Sequence, residues 1–364
     1  METTTRLRAN GKIAVLAGLV ILLQVACGGG GSGGGGGGDL TDVSDTDVAD
    51  GVGAQGGDTQ GTEPQDTPPA DDPPPSTDSA FPFAGTFVVD EYSPSIIRPE
   101  YEGIVEIVPS PLTKTRILNG NLPRSYPDGS ITFRQGCGER VGRIALAGPD
   151  GRSTPITPCS SEIPNDGFLP TDFRQSSLSP DGTRVAVEAR AYIDTGFFYS
   201  TYVFDVATQE ALALWHGTYN GTWTPDGRLL LASSEGLFLL DASLDDPTRL
   251  GDDIVEAVGN PDVSPDGTVV AFEFNQQIWI MNIDGTDARE LLTDGSRLRF
   301  PTWAPDGTPS LVYLATPSDD KYYTTLFAAN FETGIAYALD LSPVLEFGDA
   351  NYLRTVNGPI SWNQ

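Results

Sequence analysis

One histidine, His216, and three cysteines are all the imidazole and thiol side chains that a chain of 364 residues offers. A zinc site built on a pair of histidines is excluded, and a Ser/His/Asp triad would have to use His216 itself. That residue closes an apolar run, Leu214-Trp215-His216-Gly217, where a histidine at a strand end needs no catalytic reason. Positive charge is scarce as well: 21 Lys and Arg stand against 50 Asp and Glu, a formal net charge of −29. Such a body has no electrostatic draw toward nucleic acid or an anionic membrane surface. Solubility or a saline habitat would each account for the acidity. Long stretches of helical periodicity are missing. Residues 80–364 contain no Gly-x-Ser-x-Gly elbow, so a hydrolase domain of that type has no place here. No acidic run has the spacing of a Ca²⁺ loop. The expectation is a protein with no cofactor, no metal and no catalytic residues.

What is present divides the chain into three segments, 1–26, 27–79 and 80–364. In the first, Arg6, Arg8 and Lys12 precede an apolar run from Ile13 to Leu23, too short for a comfortable membrane span. Gln24-Val25-Ala26-Cys27-Gly28 follows. This resembles a bacterial lipoprotein signal peptide, whose motif ends in the cysteine that receives lipid. The resemblance implies lipidation at Cys27 and a membrane anchor, since several acyl chains on one residue hold stably where one does not. It departs from the family at Gln24, where leucine is preferred. Gly28, in place of Asp, implies the outer membrane, with the body facing the periplasm or the outside. Residues 28–38 are glycine except Ser32. Residues 39–79 then carry eleven acidic side chains and no Lys or Arg, and end in Pro68-Pro69 and Pro73-Pro74-Pro75. Too few apolar side chains occur here to offset the entropy of ordering, so a disordered linker is expected.

The third segment repeats one turn. Pro-Asp-Gly recurs at Pro127-Asp128-Gly129, Pro180-Asp181-Gly182, Pro225-Asp226-Gly227, Pro265-Asp266-Gly267 and Pro305-Asp306-Gly307, with Asp-to-Asp intervals of 53, 45, 40 and 40. Periods of this size signal repeated supersecondary units. Proline presets φ, aspartate bonds its own backbone, and glycine takes a left-handed position. Before the turn stand Leu178, Trp223, Val263 and Trp303 in one slot. After it come strand-like runs such as Val185–Val187, Leu229–Leu231 and Val269–Phe272. Third strands follow at Tyr202–Phe204, Leu237–Leu240 and Ile278–Met281, and a fourth at Glu290–Leu292. The motif Trp-x-Pro-Asp-Gly-x-x-apolar-Ala-Phe, clearest over Val263–Phe272, resembles the PD40 or TolB-type (WD40-like) propeller repeat. That resemblance implies an all-β, six-bladed propeller of four-stranded antiparallel blades over 80–364. Five blades have a turn. The sixth is expected to join Gly358–Trp362 to strands near Gly85–Val89, Gly103–Val108 and Thr115–Leu118, so that the two ends close the ring and remove free edges.

In an exported protein Cys137 and Cys159 form a plausible disulfide. The five turn aspartates are accounted for by turn formation. A partner is expected where the segments entering each first strand converge. These carry Arg124; Arg174 and Gln175; Tyr219 and Asn220; Asn260 and Asp262; Arg297 and Arg299; and Arg354. They form a candidate basic or amphoteric face for an envelope protein or an anionic glycan, because guanidinium forks bind carboxylates in pairs. The leading expectation is an anchored protein-interaction scaffold. A glycan-binding or glycan-cleaving surface lipoprotein, with Tyr192, Phe197, Phe198 and Tyr199 as its aromatics, is the first alternative; an adhesin or sensor ectodomain is the second.

Overall fold

A strand that is buried on both faces reads as an unbroken apolar run, not as an alternation. Leu229-Leu230-Leu231-Ala232 and Val270-Ala271-Phe272 are such runs, and each is wholly buried. The reason is visible in a computed structural model that describes residues 85–92, 103–138, 141–163, 172–193, 196–252, 254, 256–292, 297–316, 325–332, 335–341, 355–356 and 360–363. The signal and linker segments, with Cys27, lie outside the described residues, and so does Arg354.

Six antiparallel sheets form a ring. Blades 1 to 5 are four-stranded, with inner strands Asn121–Ser125, Asp172–Leu178, Thr218–Trp223, Val258–Val263 and Arg297–Trp303. Blade 6 is assembled from both ends of the body. Thr86–Tyr92 pairs with Gly103–Pro109 on one side, and on the other with Thr355–Val356 and Ser361–Asn363. Phe87 faces Trp362 across this junction, their rings 5.6 Å apart. The C-terminal strand is thus the inner strand of a blade whose other three strands are N-terminal, as the repeat requires. Inner strands touch their neighbours all the way round, from blade 1 through blade 6 and back to blade 1.

The core follows the same ring. Among the described residues there are six apolar clusters, one at each junction between neighbouring blades. Leu229 and Leu231 pack toward blade 2 while Leu230 packs toward blade 4. Successive side chains point to opposite faces of a sheet, and in this ring both faces are interior. Trp223 and Trp303, the residues before the turn, each donate an indole N–H to the preceding blade, to the carbonyls of Ser177 and Asp262 at 2.9 Å. One bulky side chain therefore both fills a blade junction and locks it.

The repeated turns have the geometry their residues dictate. In all five the glycine N–H bonds the carbonyl three residues back, at 2.8 to 3.3 Å. Every one of these glycines has positive φ, from 70° at Gly182 to 86° at Gly227. Cys137 and Cys159 are joined as a disulfide, Cα to Cα 6.4 Å, which ties the second strand of blade 1 to the segment beyond its outer strand.

Candidate functional site

The site is set by a defect repeated in every complete inner strand. In blades 1 to 5 three residues of the inner strand span the space that two take on the second strand. The extra residue makes a β-bulge, which bends the strand and re-aims its side chains. In four blades the bulge holds a left-handed residue: Leu122 at φ 53°, Asn220 at 48°, Asn260 at 44° and Phe300 at 56°. Asparagine tolerates this region, whereas leucine and phenylalanine do so only when their surroundings compel it. The compulsion comes from the preceding blade. The turned N–H of Leu122 donates to Asp90, that of Asn220 to Glu188 and that of Phe300 to Glu273, at 3.4, 3.3 and 2.7 Å. Asn260 donates to the side-chain oxygen of Asn220 at 3.3 Å.

These contacts bring the convergent residues into the central channel. They sit on inner strands, not on the loops before them, because each strand starts earlier than its apolar run suggests. Arg124 of blade 1 reaches across the ring to Asp262 of blade 4, at 2.8 Å, and also donates to Thr222 at 2.9 Å. Gln175, Asn220 and Asn260, from three successive blades, bond one another: Asn220 to Gln175 at 2.9 Å and Gln175 to Asn260 at 3.1 Å. Asn220 donates onward to Glu188 at 2.7 Å, and Asn260 to Glu273 at 2.5 Å. Arg174 meets Glu188 at 3.4 Å and Arg299 meets Glu273 at 3.3 Å. Each of these arginines therefore faces a carboxylate, and the surface is amphoteric. Arg297, at the outer start of its strand, is exposed.

The cross-channel side chains divide the channel. On the bulge side is a well of about 320 Å³, whose lining includes Arg174, Tyr199, Tyr219 and Arg299. On the turn side is a larger cavity of about 570 Å³ that runs out between blades 6 and 1 past Val88 and Ile131. Gln175, Asn260 and Phe300 line both and form the partition. Burial among protein atoms shifts several groups around the channel. Burial pushes the Glu188 carboxyl up, against the pull of Arg174. On the turn side it pushes Asp262 up in the same way, against Arg124. The Tyr219 phenol is raised to about 12, by burial first and then by Glu188 and Glu273 nearby. Removing charge from water disfavours the charged form, and a paired charge only partly recovers the loss.

Tyr199, one of the four aromatics singled out in the sequence, lines the well. Glu188 and Glu273 are site residues that the turn pattern does not reveal. Their trace in the sequence is an acid inside an apolar strand, Val185-Ala186-Val187-Glu188 and Ala271-Phe272-Glu273. The turn aspartates do something else. Asp128, Asp181 and Asp266 accept bonds from the hydroxyl and amide groups of their own turns. His216 shares a 2.9 Å hydrogen bond with Ser200 through Nδ1, and its ring lies against Phe198. Among the described residues no three His, Cys, Asp or Glu side chains are gathered as a metal site.

No protein-family model and no curated protein matches the sequence. Solved structures do match the fold. TolB from Acinetobacter baumannii superposes with a TM-score of 0.54 at 16% identity, over 77% of this chain and 67% of that one. A chain of a nidogen/laminin complex gives 0.52 at 9% identity, over 76% and 98%. A putative TolB from Agrobacterium tumefaciens gives 0.48 at 14% identity, over 77% and 99%. The chain is a TolB-like six-bladed propeller in fold, and identities this low speak to fold alone.

Proposed function

We propose that this protein is a lipid-anchored propeller of the bacterial cell envelope, held in the outer membrane through Cys27, whose body binds a protein partner and performs no chemistry of its own. The observation that carries the reading is the convergence of polar side chains from four blades, among them Arg174, Tyr219, Asn260 and Arg299, on the bulge-side mouth of a closed ring. A rigid ring presents such a face without the ordering cost that a loop-built surface incurs. The fold shared with TolB, and a nidogen/laminin complex among the similar structures, fit a propeller used for association. The lipoprotein-like motif and the acidic, proline-rich segment after it fit a body that stands away from a lipid surface. The non-catalytic part of the reading is supported by His216 and the turn aspartates being engaged in local bonds.

Two measurements test it. Metabolic labelling with an alkyne fatty acid should mark the wild-type chain and leave Cys27→Ala unmarked and released from the membrane fraction. A photo-crosslinking residue at exposed Arg297 should trap one discrete envelope protein in intact cells, and charge reversal at Arg174 and Arg299 should abolish the adduct. Labelling that survives Cys27→Ala contradicts the anchor. Absence of a discrete adduct contradicts the scaffold.

A further inference from the structure

We infer that the bulge-side well is a binding site for a neutral saccharide, a ligand class separate from the protein partner proposed above; the inference stands whether or not that partner exists. Charge is the first argument. Arg174 and Arg299 are each within 3.4 Å of an acid, Glu188 and Glu273 respectively. An anionic or cationic ligand gains no net attraction in such a well, and it gives up hydration on entering.

Hydrogen-bonding capacity is the second. A primary amide has two N–H groups and two lone pairs on its oxygen. Within the three-amide chain Gln175 spends one N–H on Asn260 and accepts once from Asn220, which leaves it an N–H and a lone pair. Asn260 spends one N–H on Glu273 and accepts once from Gln175, and it too keeps one of each. Asn220 spends both N–H groups, on Gln175 and Glu188, and accepts from the Asn260 N–H, keeping one lone pair. A floor that offers donors and acceptors side by side suits groups that both donate and accept, which is what a hydroxyl does. The Tyr199 and Tyr219 phenols on the wall have the same dual character.

The rim supplies the third argument. Ten-residue strands Arg184–Ile193 and Gly196–Asp205 form a hairpin on blade 2. Phe197 lies two positions before Tyr199, hence on the same face of its strand and roughly 7 Å further out. The residue is 50% exposed, and its ring stands 4.9 Å from the Arg190 guanidinium, which is itself held by Asp172. A braced, half-exposed aromatic residue near the outer end of the strand whose Tyr199 lines the well can stack the C–H face of a sugar ring while the ring's hydroxyls bond the polar floor. A cavity of about 320 Å³ is at the small end of ligand sites and has room for one or two such rings.

The test is ligand-observed saturation-transfer NMR on the full chain in detergent, titrated with cellobiose, maltose and N,N′-diacetylchitobiose, with digalacturonate as the anionic comparison. At least one neutral disaccharide should bind, and digalacturonate at least about tenfold more weakly. Gln175→Ala should lower neutral-sugar affinity by about tenfold or more, and Phe197→Ala by a few-fold with an unchanged thermal midpoint. Should Gln175→Ala disturb the fold, Phe197→Ala on the exposed rim decides alone. No saturation transfer from any saccharide at about 20 mM, digalacturonate binding as tightly as the neutral sugars, or affinity indifferent to Phe197→Ala would overturn the inference.

Discussion

Two kinds of carboxylate answer pH in opposite directions. Asp181 accepts from Ser179 first, then from the Thr183 amide and hydroxyl, and these bonds hold its carboxyl down from 3.8 to about 2. A lowered carboxyl contributes stability above its unfolded value, and that stability is lost as pH falls through the folded value. The thermal midpoint should therefore drop between about pH 4 and pH 2, and Asp181→Asn should flatten the curve in that window. An unchanged slope in the variant contradicts the assignment. Asp262 has the other sign. Burial raises it, so its contribution is greatest below the unfolded value and shrinks as pH rises through the folded one. Arg124 opposes that rise from across the channel. Arg124→Leu should cost roughly 2–4 kcal/mol at pH 7, less than for a fully enclosed pair because the Arg124 side chain is 31% exposed. Its stability should also decline more steeply than wild type from pH 4 to 7. Chemical unfolding across pH checks both. This pair could not be read from the sequence: its members are 138 residues apart, and only the ring's closure sets them opposite each other.

At the level of the element, the turn and the bulge differ in how openly the chain announces them. Pro-Asp-Gly states its conformation residue by residue, since each side chain is there for a local reason, and all five glycines adopt the left-handed position. The bulges are silent. Nothing about Leu122 or Phe300 in a β-rich segment suggests positive φ. Their conformation is imposed by Asp90 and Glu273 on neighbouring blades, which no local pattern can show. Hence the strands and their order were legible, while the partition of the channel was not. The turns themselves differ in surroundings. A methyl group at Gly182 meets open space, whereas one at Gly267 comes within 3.2 Å of Cδ of Pro225 in the preceding blade's turn. Gly182→Ala should cost about 1 kcal/mol, the penalty of left-handed backbone alone. Gly267→Ala should cost clearly more, and urea unfolding of the two variants side by side measures the difference. Equal costs would mean that neighbouring turns do not touch.

For the whole molecule, everything proposed about the channel depends on the ring being closed by its own ends. Ser361–Asn363 covers the Thr86–Val88 part of blade 6, which without it would show a bare edge of the kind that invites association. Half-buried Thr86 and Asn363 are register partners at that seam. Replacing both by cysteine and titrating free thiols under mild oxidation tests the closure most directly. The account predicts that the new pair disappears into a disulfide in the monomer and raises the thermal midpoint. Two thiols that stay reactive in the folded monomer, or that crosslink only between chains, would contradict it.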